Sequence, residues 1–408
     1  MKIRILHLVK TPVGAPWALR QIEALRDRGV EVTVLLPPGD SQTVPRYEAC
    51  GCKVIRFDFQ LTMRQPWAIR KNLHDLRSII EQENPDLIHS HFYITTLLMR
   101  LALRNNSSLP RIYQVAGPLH LEHGAFRKSE IGLSTERDYW IGSSRCITNH
   151  YLRSGLPRNR LFLSYYGLEV PKNEGVKPRN LRELLNLSID DIVVGNVSWM
   201  YAPKYYLGHT KGLKRHEDMI DALGILIKQN PRVKGVFVGG AWNGAEWYEN
   251  RLRLRARRIA GDQIYFAGPL QSERAFQAWA DYDVAIHVPI SENCGGVVEP
   301  LCFAIPTIAS NVGGLPEVII EGKTGYLVPP RDPEMLAKRI GEVISDFERA
   351  RQMAEAGKFL VKRMFDVERT AEEIVAIYEH VLDPRNPRPE EFDSNRFVDI
   401  GIGSIWCD

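Results

Sequence analysis

The chain has 408 residues, more than one hydrophobic core comfortably fills, so at about 150 residues per domain it implies two or three units. Apolar residues at 44% and charged residues at 25% are ordinary globular proportions and exclude a disordered chain. With 53 Lys and Arg against 49 Asp and Glu, the formal charge of +4 is too balanced to imply nucleic acid as a partner, whereas anionic small molecules stay open.

The chain begins with "KIRILHLV", a short apolar run that reads as a first buried strand, too short for a membrane span and without a signal-peptide cleavage pattern. "WALRQIEALRDRG" follows as a helix, with Ala18, Ile22 and Leu25 on one face and Gly29 at its end. "VEVTVLLPP" and "CKVIRFDF" are strands, "PWAIRKNLHDLRSIIEQENP" a helix, "DLIHSHF" a buried strand and "RIYQVAG" a further strand. This rhythm predicts a parallel sheet covered by helices on both faces. At 171–180, "PKNEGVKPRN" has the Pro, Gly and charge content of a linker, after which the rhythm restarts. "DIVVGNVS", "VKGVFVGG", "QIYFAG", "DVAIHVP" and "PTIAS" are strands, and "HEDMIDALGILIKQNP" is a helix with Met219, Ala222, Leu223 and Leu226 on one face. "VERTAEEIVAIYEHVL" is an amphipathic helix. The expected division is therefore 1–172, 185–365, a helix at 366–382 crossing the junction, and a tail at 383–408 that wraps or frays, with a ligand cleft between the two α/β domains.

Six cysteines, at 50, 52, 146, 294, 302 and 407, show neither zinc spacing nor a disulfide framework, so a reducing cytoplasm is expected. "CGC" at 50–52 reads as structural, with a soft-metal site as the alternative. In parallel sheets the loops at strand carboxyl ends form the site. Here those loops are "KTPVGAPW", the basic "WMYAPKYYLGHTKGLKRHED", "ISENCGGVVEPL" and "NVGGLPEVI". Glycine pairs before helices expose backbone N–H groups where the helix dipole is positive, a setting for phosphate.

The run from Gly268 to Ile340, with "ISENCGGVVEPL" and "NVGGLPEV", resembles the C-terminal domain of glycosyltransferase family 4, retaining enzymes of the GT-B fold that use nucleotide-sugar donors. "DLIHSH" and "IGSSRCITNHYLRSGLPRNRLFLSYYGLEV" continue the resemblance through the N-terminal half. It implies two Rossmann-like domains, with parallel sheets facing a central cleft and the nucleotide held mainly by the second. Glu299 matches the family's ribose-binding glutamate, since a carboxylate offers two acceptor oxygens to a vicinal diol. Glu292 resembles the first glutamate of the family pair, near the donor sugar. Six residues, Asn293 to Val298, separate the two, one fewer than the family's usual seven, which leaves Ser291 at the standard spacing. The resemblance implies that Asn293, Cys294, Gly295, Gly296 and Val297 form the donor-binding loop between them. Lys211-Gly212 is the literal match to the family's diphosphate lysine. Helix register favours Lys214 instead, with Arg215 replacing the glycine. The family's Arg after the first strand of this domain is missing, Ser198 and Trp199 standing there. In the N-terminal half, Gly14 and Ala15 stand where the family has a glycine pair, and His120 corresponds to a histidine near the donor sugar. His120, Lys214 and Glu292 form the expected catalytic set.

The implied reaction moves a sugar from a UDP- or GDP-sugar co-substrate to a hydroxyl of a carbohydrate, lipid-linked or small-molecule acceptor, with no metal and no further cofactor. "DYD" at 281–283 reads as helix-to-strand punctuation rather than a metal triplet. The Glu292 and Glu299 pair alone suggests a two-carboxylate hydrolase, but the neighbouring glycine loops are phosphate features. The rivals are a sugar-nucleotide epimerase or phosphorylase on the same fold and a non-catalytic nucleotide-sugar-binding protein. "RLRLRARR" at 251–258 reads as a solvated helical face, with peripheral contact to anionic lipid as the alternative.

Overall fold

The computed structural model describes residues 2–39, 43–60, 66–103, 108–168 and 180–405. The chain forms two compact units, Met1–Val170 with Arg363–Phe392 and Pro171–Lys362 with Asp393–Asp408. Apart from Asn180, the linker expected at 171–180 lies outside the described residues, as does Cys407.

Unit 1 holds strands β1 (Arg4–Leu8), β2 (Glu31–Leu36), β3 (Lys53–Arg56), β4 (Leu87–Ser90), β5 (Arg111–Tyr113), β6 (Asp138–Gly142) and β7 (Leu161–Leu163). They pair in parallel in the order β3-β2-β1-β4-β5-β6-β7. The helices between them are α1 (Pro16–Asp27), α2 (Thr43–Ala49), α3 (Pro66–Glu83), α4 (Tyr93–Leu103), α5 (Leu119–Glu122), α6 (Gly124–Gly132) and α7 (Arg145–Arg153). Helix α1 starts at Pro16, whose fixed φ suits a first helical position, and buries Ala18, Leu19, Ile22 and Leu25. Central strands such as β4 are buried at every position, as expected where helices cover both faces of a sheet.

Unit 2 repeats the plan with β8 (Ile192–Val197), β9 (Val233–Val238), β10 (Ile264–Gly268), β11 (Val284–His287), β12 (Thr307–Ser310) and β13 (Tyr326–Val328). Their order is β10-β9-β8-β11-β12-β13, again all parallel. Its helices are α8 (Asn180–Leu184), α9 (His216–Gln229), α10 (Glu246–Ala260), α11 (Ser272–Ala278), α12 (Gly295–Cys302), α13 (Pro333–Ser345) and α14 (Phe347–Met364). The Asp-Tyr-Asp triplet is committed to this framework. Asp281 accepts from Leu181 N at 3.0 Å, while Asp283 accepts from Val193 N at 2.8 Å and pairs with Arg182 at 2.7 Å.

Helix α15 (Val367–Leu382) belongs to unit 1, where Ala371, Ile374, Ile377 and Tyr378 join the core that includes Ala18 and Ile22 of α1. Asp366 caps it, accepting from Glu368 N and Arg369 N. The tail read as wrapping or frayed is helical in α16 (Ser394–Ile405). Its anchors are a stack of Phe397 on Phe359, with centroids 4.9 Å apart, buried Val398 and an ion pair from Asp399 to Lys323. Strands β6, β7 and β13 complete sheets in which the other ten strands follow the sequence reading.

Phe237 lies fully buried in β9, its ring 5.6 Å from His216 and 5.4 Å from Phe266. Phe237→Ala removes this packing and leaves a cavity, so it should cost about 3–5 kcal/mol, read as a lower urea midpoint with an unchanged slope.

Candidate active site

Strands β8 and β11 are adjacent, and the order of the sheet reverses between them, the kind of position at whose carboxyl ends α/β sheets characteristically bind ligands. Asn196 of β8 and His287 of β11 meet there, both buried. The Asn196 amide donates to Ile286 O at 2.8 Å and to His287 Nδ1 at 3.2 Å. His287 Nδ1 is therefore the acceptor, and Nε2–H donates to Glu292 Oε2 at 3.2 Å. The same carboxylate oxygen takes an ion pair from Lys214 Nζ, and Asn293 N donates to Oε1 at 3.1 Å. Behind Asn196, the Ser198 hydroxyl donates to its Oδ1 and lies 3.4 Å from His216 Nε2.

Burial alone would raise the proton affinity of Glu292, but the Lys214 charge and the His287 hydrogen bond outweigh it and hold the carboxyl at about 2. Burial pushes His287 below the usual imidazole range; Glu292 opposes that shift and Lys214 reinforces it. The pair is thus an ionised carboxylate beside an ammonium, steadied by a neutral imidazole.

Two glycines allow this closeness. A Cβ at Gly296 would sit 2.0 Å from His287 Nε2, and one at Gly313, where φ is +57°, would sit 1.8 Å from Glu292 O. Gly314 N donates to that same carbonyl at 3.4 Å, and the Cys294 thiol donates to Gly314 O at 3.3 Å, so the loops after β11 and β12 are stitched together. Gly295 is different, since a Cβ there would meet nothing within 4 Å. It opens α12, with the N–H groups of the first turn at the positive end of the dipole. Val297 and Cys294 are buried, so their side chains serve packing, while Asn293 is half-buried. Glu299 lies one turn after Gly295, and its Oε2 accepts from Trp279 Nε1 at 3.2 Å.

The two candidate lysines part company. Lys211 pairs with Asp218 at 2.6 Å, as does Arg215, and Lys211 borders a groove of about 540 Å³ lined also by Arg251, Arg255 and Arg258. Lys214 alone of the three basic candidates reaches Glu292. Arg215 adopts φ +58°, the left-handed conformation that favours glycine, which fits its place opposite the glycine of the family motif. His287 and Asn196 belong to the network around Glu292 and were passed over by the sequence reading; the histidine at the end of "VAIH" was their one visible signal.

In unit 1, Gly14 is exposed with φ +83°, and the carbonyl of buried Ala15 accepts from Ala18 N and Leu19 N at the start of α1. His120 lies in α5, buried rather than on the surface, with Nδ1 on Gly117 O and Nε2 on the Tyr151 hydroxyl, each at 3.1 Å. Burial lowers its proton affinity, and its carbonyl partner makes Nδ1 the donor.

Residues 14–167 match the family described as glycosyl transferase 4-like domain, and residues 205–359 match glycosyl transferases group 1. The chain belongs to glycosyltransferase family 4, and its two Rossmann-like domains have the GT-B fold. It is 24% identical over 323 residues to a D-inositol 3-phosphate glycosyltransferase of Acidothermus cellulolyticus, a match that covers 74% of this chain and 68% of that protein. In structure it is similar to HepE of Anabaena in complex with UDP, with a TM-score of 0.76 and 22% identity over 93% of this chain and 100% of that one. The UDP-glucose complex of HepE gives a TM-score of 0.76 and 21% identity over 92% and 99% of the two chains.

The depressed Glu292 value has a stability consequence. As pH falls, the unfolded chain takes up this proton first, near 4.3, so the contribution is complete above about pH 5 and fades toward about 2. Glu292→Gln should cost roughly 2–3 kcal/mol at pH 7, and its gap from wild type should narrow as urea unfolding is repeated from pH 5 down to pH 3.

Proposed function

We propose that the protein is a retaining glycosyltransferase that moves a sugar from a nucleoside-diphosphate donor, UDP-linked foremost, to an acceptor hydroxyl without a catalytic metal. The observation that carries this reading is the meeting of Lys214, Glu292 and the glycine-led start of α12 at the carboxyl end of β11. The UDP and UDP-glucose complexes of HepE support a uridine donor. The acceptor belongs to the broad class of carbohydrates, lipid-linked sugars or small polyols.

The hard event is departure of the diphosphate from an oxocarbenium-like centre, when negative charge grows on the leaving phosphate. Lys214 and the amides of Gly295, Gly296 and Gly313 stabilise that charge, while the Gly314 N–H is spent on the Glu292 carbonyl. Glu299 accepts from the ribose hydroxyls. Glu292 is held near 2, too weak a base to take a proton at neutral pH and without a proton to give. Its role is to accept a hydrogen bond from a donor-sugar hydroxyl while keeping Lys214 in place. The departing phosphate, on the same face, deprotonates the acceptor. Within unit 1, Gly14, Ala15 and His120 are the residues proposed to contact a substrate.

The test is a panel of nucleotide sugars with and without acceptors, with product configuration read by NMR. Nucleotide release that requires an acceptor and yields an unchanged anomeric configuration supports the proposal. Release with an altered sugar and no acceptor identifies an epimerase, and donor binding without turnover identifies a binding protein. Chelator or added manganese should change turnover less than about twofold, since charge on the diphosphate is met by fixed groups. Lys214→Ala should lower kcat by roughly 10²–10³. Lys211→Ala, whose lysine is tied to Asp218, should change it by less than about threefold, in keeping with the small effect of a partly exposed ion pair. Glu299→Ala should abolish the thermal shift given by UDP.

A further inference from the structure

The strand order of unit 1 also reverses between two neighbours, β1 and β4, and His7 and His89 are register partners across them. His91 follows one residue after β4, on the same side of the chain as His89. All three rings are fully buried, and their centroids are 4.3–5.1 Å apart. One nitrogen from each ring lies within 4.8 Å of the other two. Among the described residues this is the one group of three or more His, Cys, Asp or Glu side chains so gathered; Cys50 and Cys52, 3.4 Å apart, attract no third.

The hydrogen bonds sort the ring nitrogens into two sets. The Tyr166 hydroxyl meets His91 Nδ1 at 2.9 Å, and the Tyr378 hydroxyl meets His89 Nδ1 at 2.7 Å and His7 Nε2 at 3.5 Å. The remaining set is His7 Nδ1 and His91 Nε2, 2.8 Å apart, together with His89 Nε2, which is buried and makes no hydrogen bond of ordinary geometry, although the Gln114 side chain lies close to the ring. Buried polar atoms are nearly always satisfied, so three imidazoles sharing one bond among their remaining nitrogens are short of a partner. Metal-binding histidines characteristically have the opposite ring nitrogen fixed by a second group, which is the service the two tyrosines perform.

We propose that His7, His89 and His91 form a buried site for a divalent transition metal of the zinc type. Three neutral imidazoles suit such an ion, and water or a neighbouring polar group completes four-coordination. Burial favours the neutral form of each ring, the form that binds metal. Metal–nitrogen bonds of about 2.1 Å place tetrahedral ligands about 3.4 Å apart, so the His7–His91 pair opens by about 0.6 Å on binding. The ion ties β1, β4 and, through Tyr378, helix α15 together. Its role is structural and confined to unit 1.

The test uses the whole chain, stripped with a strong chelator, checked for a cooperative melt and titrated with Co²⁺ and then Zn²⁺. The expected result is one ion per chain, with the visible absorption of tetrahedral nitrogen-ligated Co²⁺, displaced by Zn²⁺. The thermal midpoint should rise by roughly 5–10 °C at a hundredfold excess over Kd. His89→Ala should lose the absorption. Tyr378→Phe keeps all three rings but removes an outer hydroxyl, and should bind about tenfold more weakly. A folded wild-type chain that takes up no ion overturns the site and leaves a hydrogen-bonded histidine core, as does uptake unaltered in His89→Ala. None of these readings uses sugar transfer, so the site stands or falls apart from the proposed activity.

Discussion

The reversal of strand order between β8 and β11 is the constraint from which the arrangement of unit 2 follows. Two adjacent parallel strands whose following chains depart to opposite faces cannot both be covered by the same loop, so their carboxyl ends stay accessible to a ligand. Side chains placed there are half inside the sheet. Asn196 and His287 take those places, and because both are buried their polar atoms must find partners within the protein. The amide of Asn196 has one spare N–H for the imidazole, which sets the His287 tautomer and leaves Nε2–H for Glu292.

The balance at Glu292 is a contest between burial and charge. Burial acts first and opposes ionisation; the ammonium of Lys214 and the hydrogen bond of His287 prevail. A carboxylate so held is a fixed acceptor and a fixed counter-charge, whatever the pH of a cell. The arrangement also demands small residues. Gly296 leaves space for the imidazole, and Gly313 leaves space for the Glu292 carbonyl, while Gly295 faces open space and is not required by its own surroundings. Of these three glycines, packing explains Gly296 and Gly313, and Gly295 faces open space.

Unit 1 places histidines at the equivalent reversal, His7 on β1 and His89 on β4, but surrounds them differently. Among the described residues no carboxylate or ammonium joins the group; its polar neighbours are the hydroxyls of Tyr166 and Tyr378 and the side chain of Gln114. One topology therefore yields a charged, partly exposed centre in unit 2 and a neutral, buried one in unit 1. The difference lies in the loops. The loop after β11 returns a glutamate to the histidine, whereas aromatic side chains, with Trp17 against His91 and Tyr166, cover the cluster of unit 1.

The sequence by itself determined the two parallel α/β units, because apolar runs of four or more residues bounded by turn residues signal buried strands locally. Helix register against the family motif favoured Lys214 over Lys211, and the structure pairs Lys214 with Glu292 and Lys211 with Asp218. Strands of three residues such as "LFL" and "YLV" are too short to show a period, and β6 begins on a buried aspartate, so these were invisible until neighbouring strands supplied their hydrogen bonds. Tertiary structure alone decided which polar groups meet. Lys214 and Glu292 are 78 residues apart, and His7 and His91 are 84 apart. Local pattern can say that each is near a strand end. Only strand register and the approach of backbone at Gly296 and Gly313 bring the atoms within bonding distance, because those contacts arise from packing between segments that share no sequence neighbourhood.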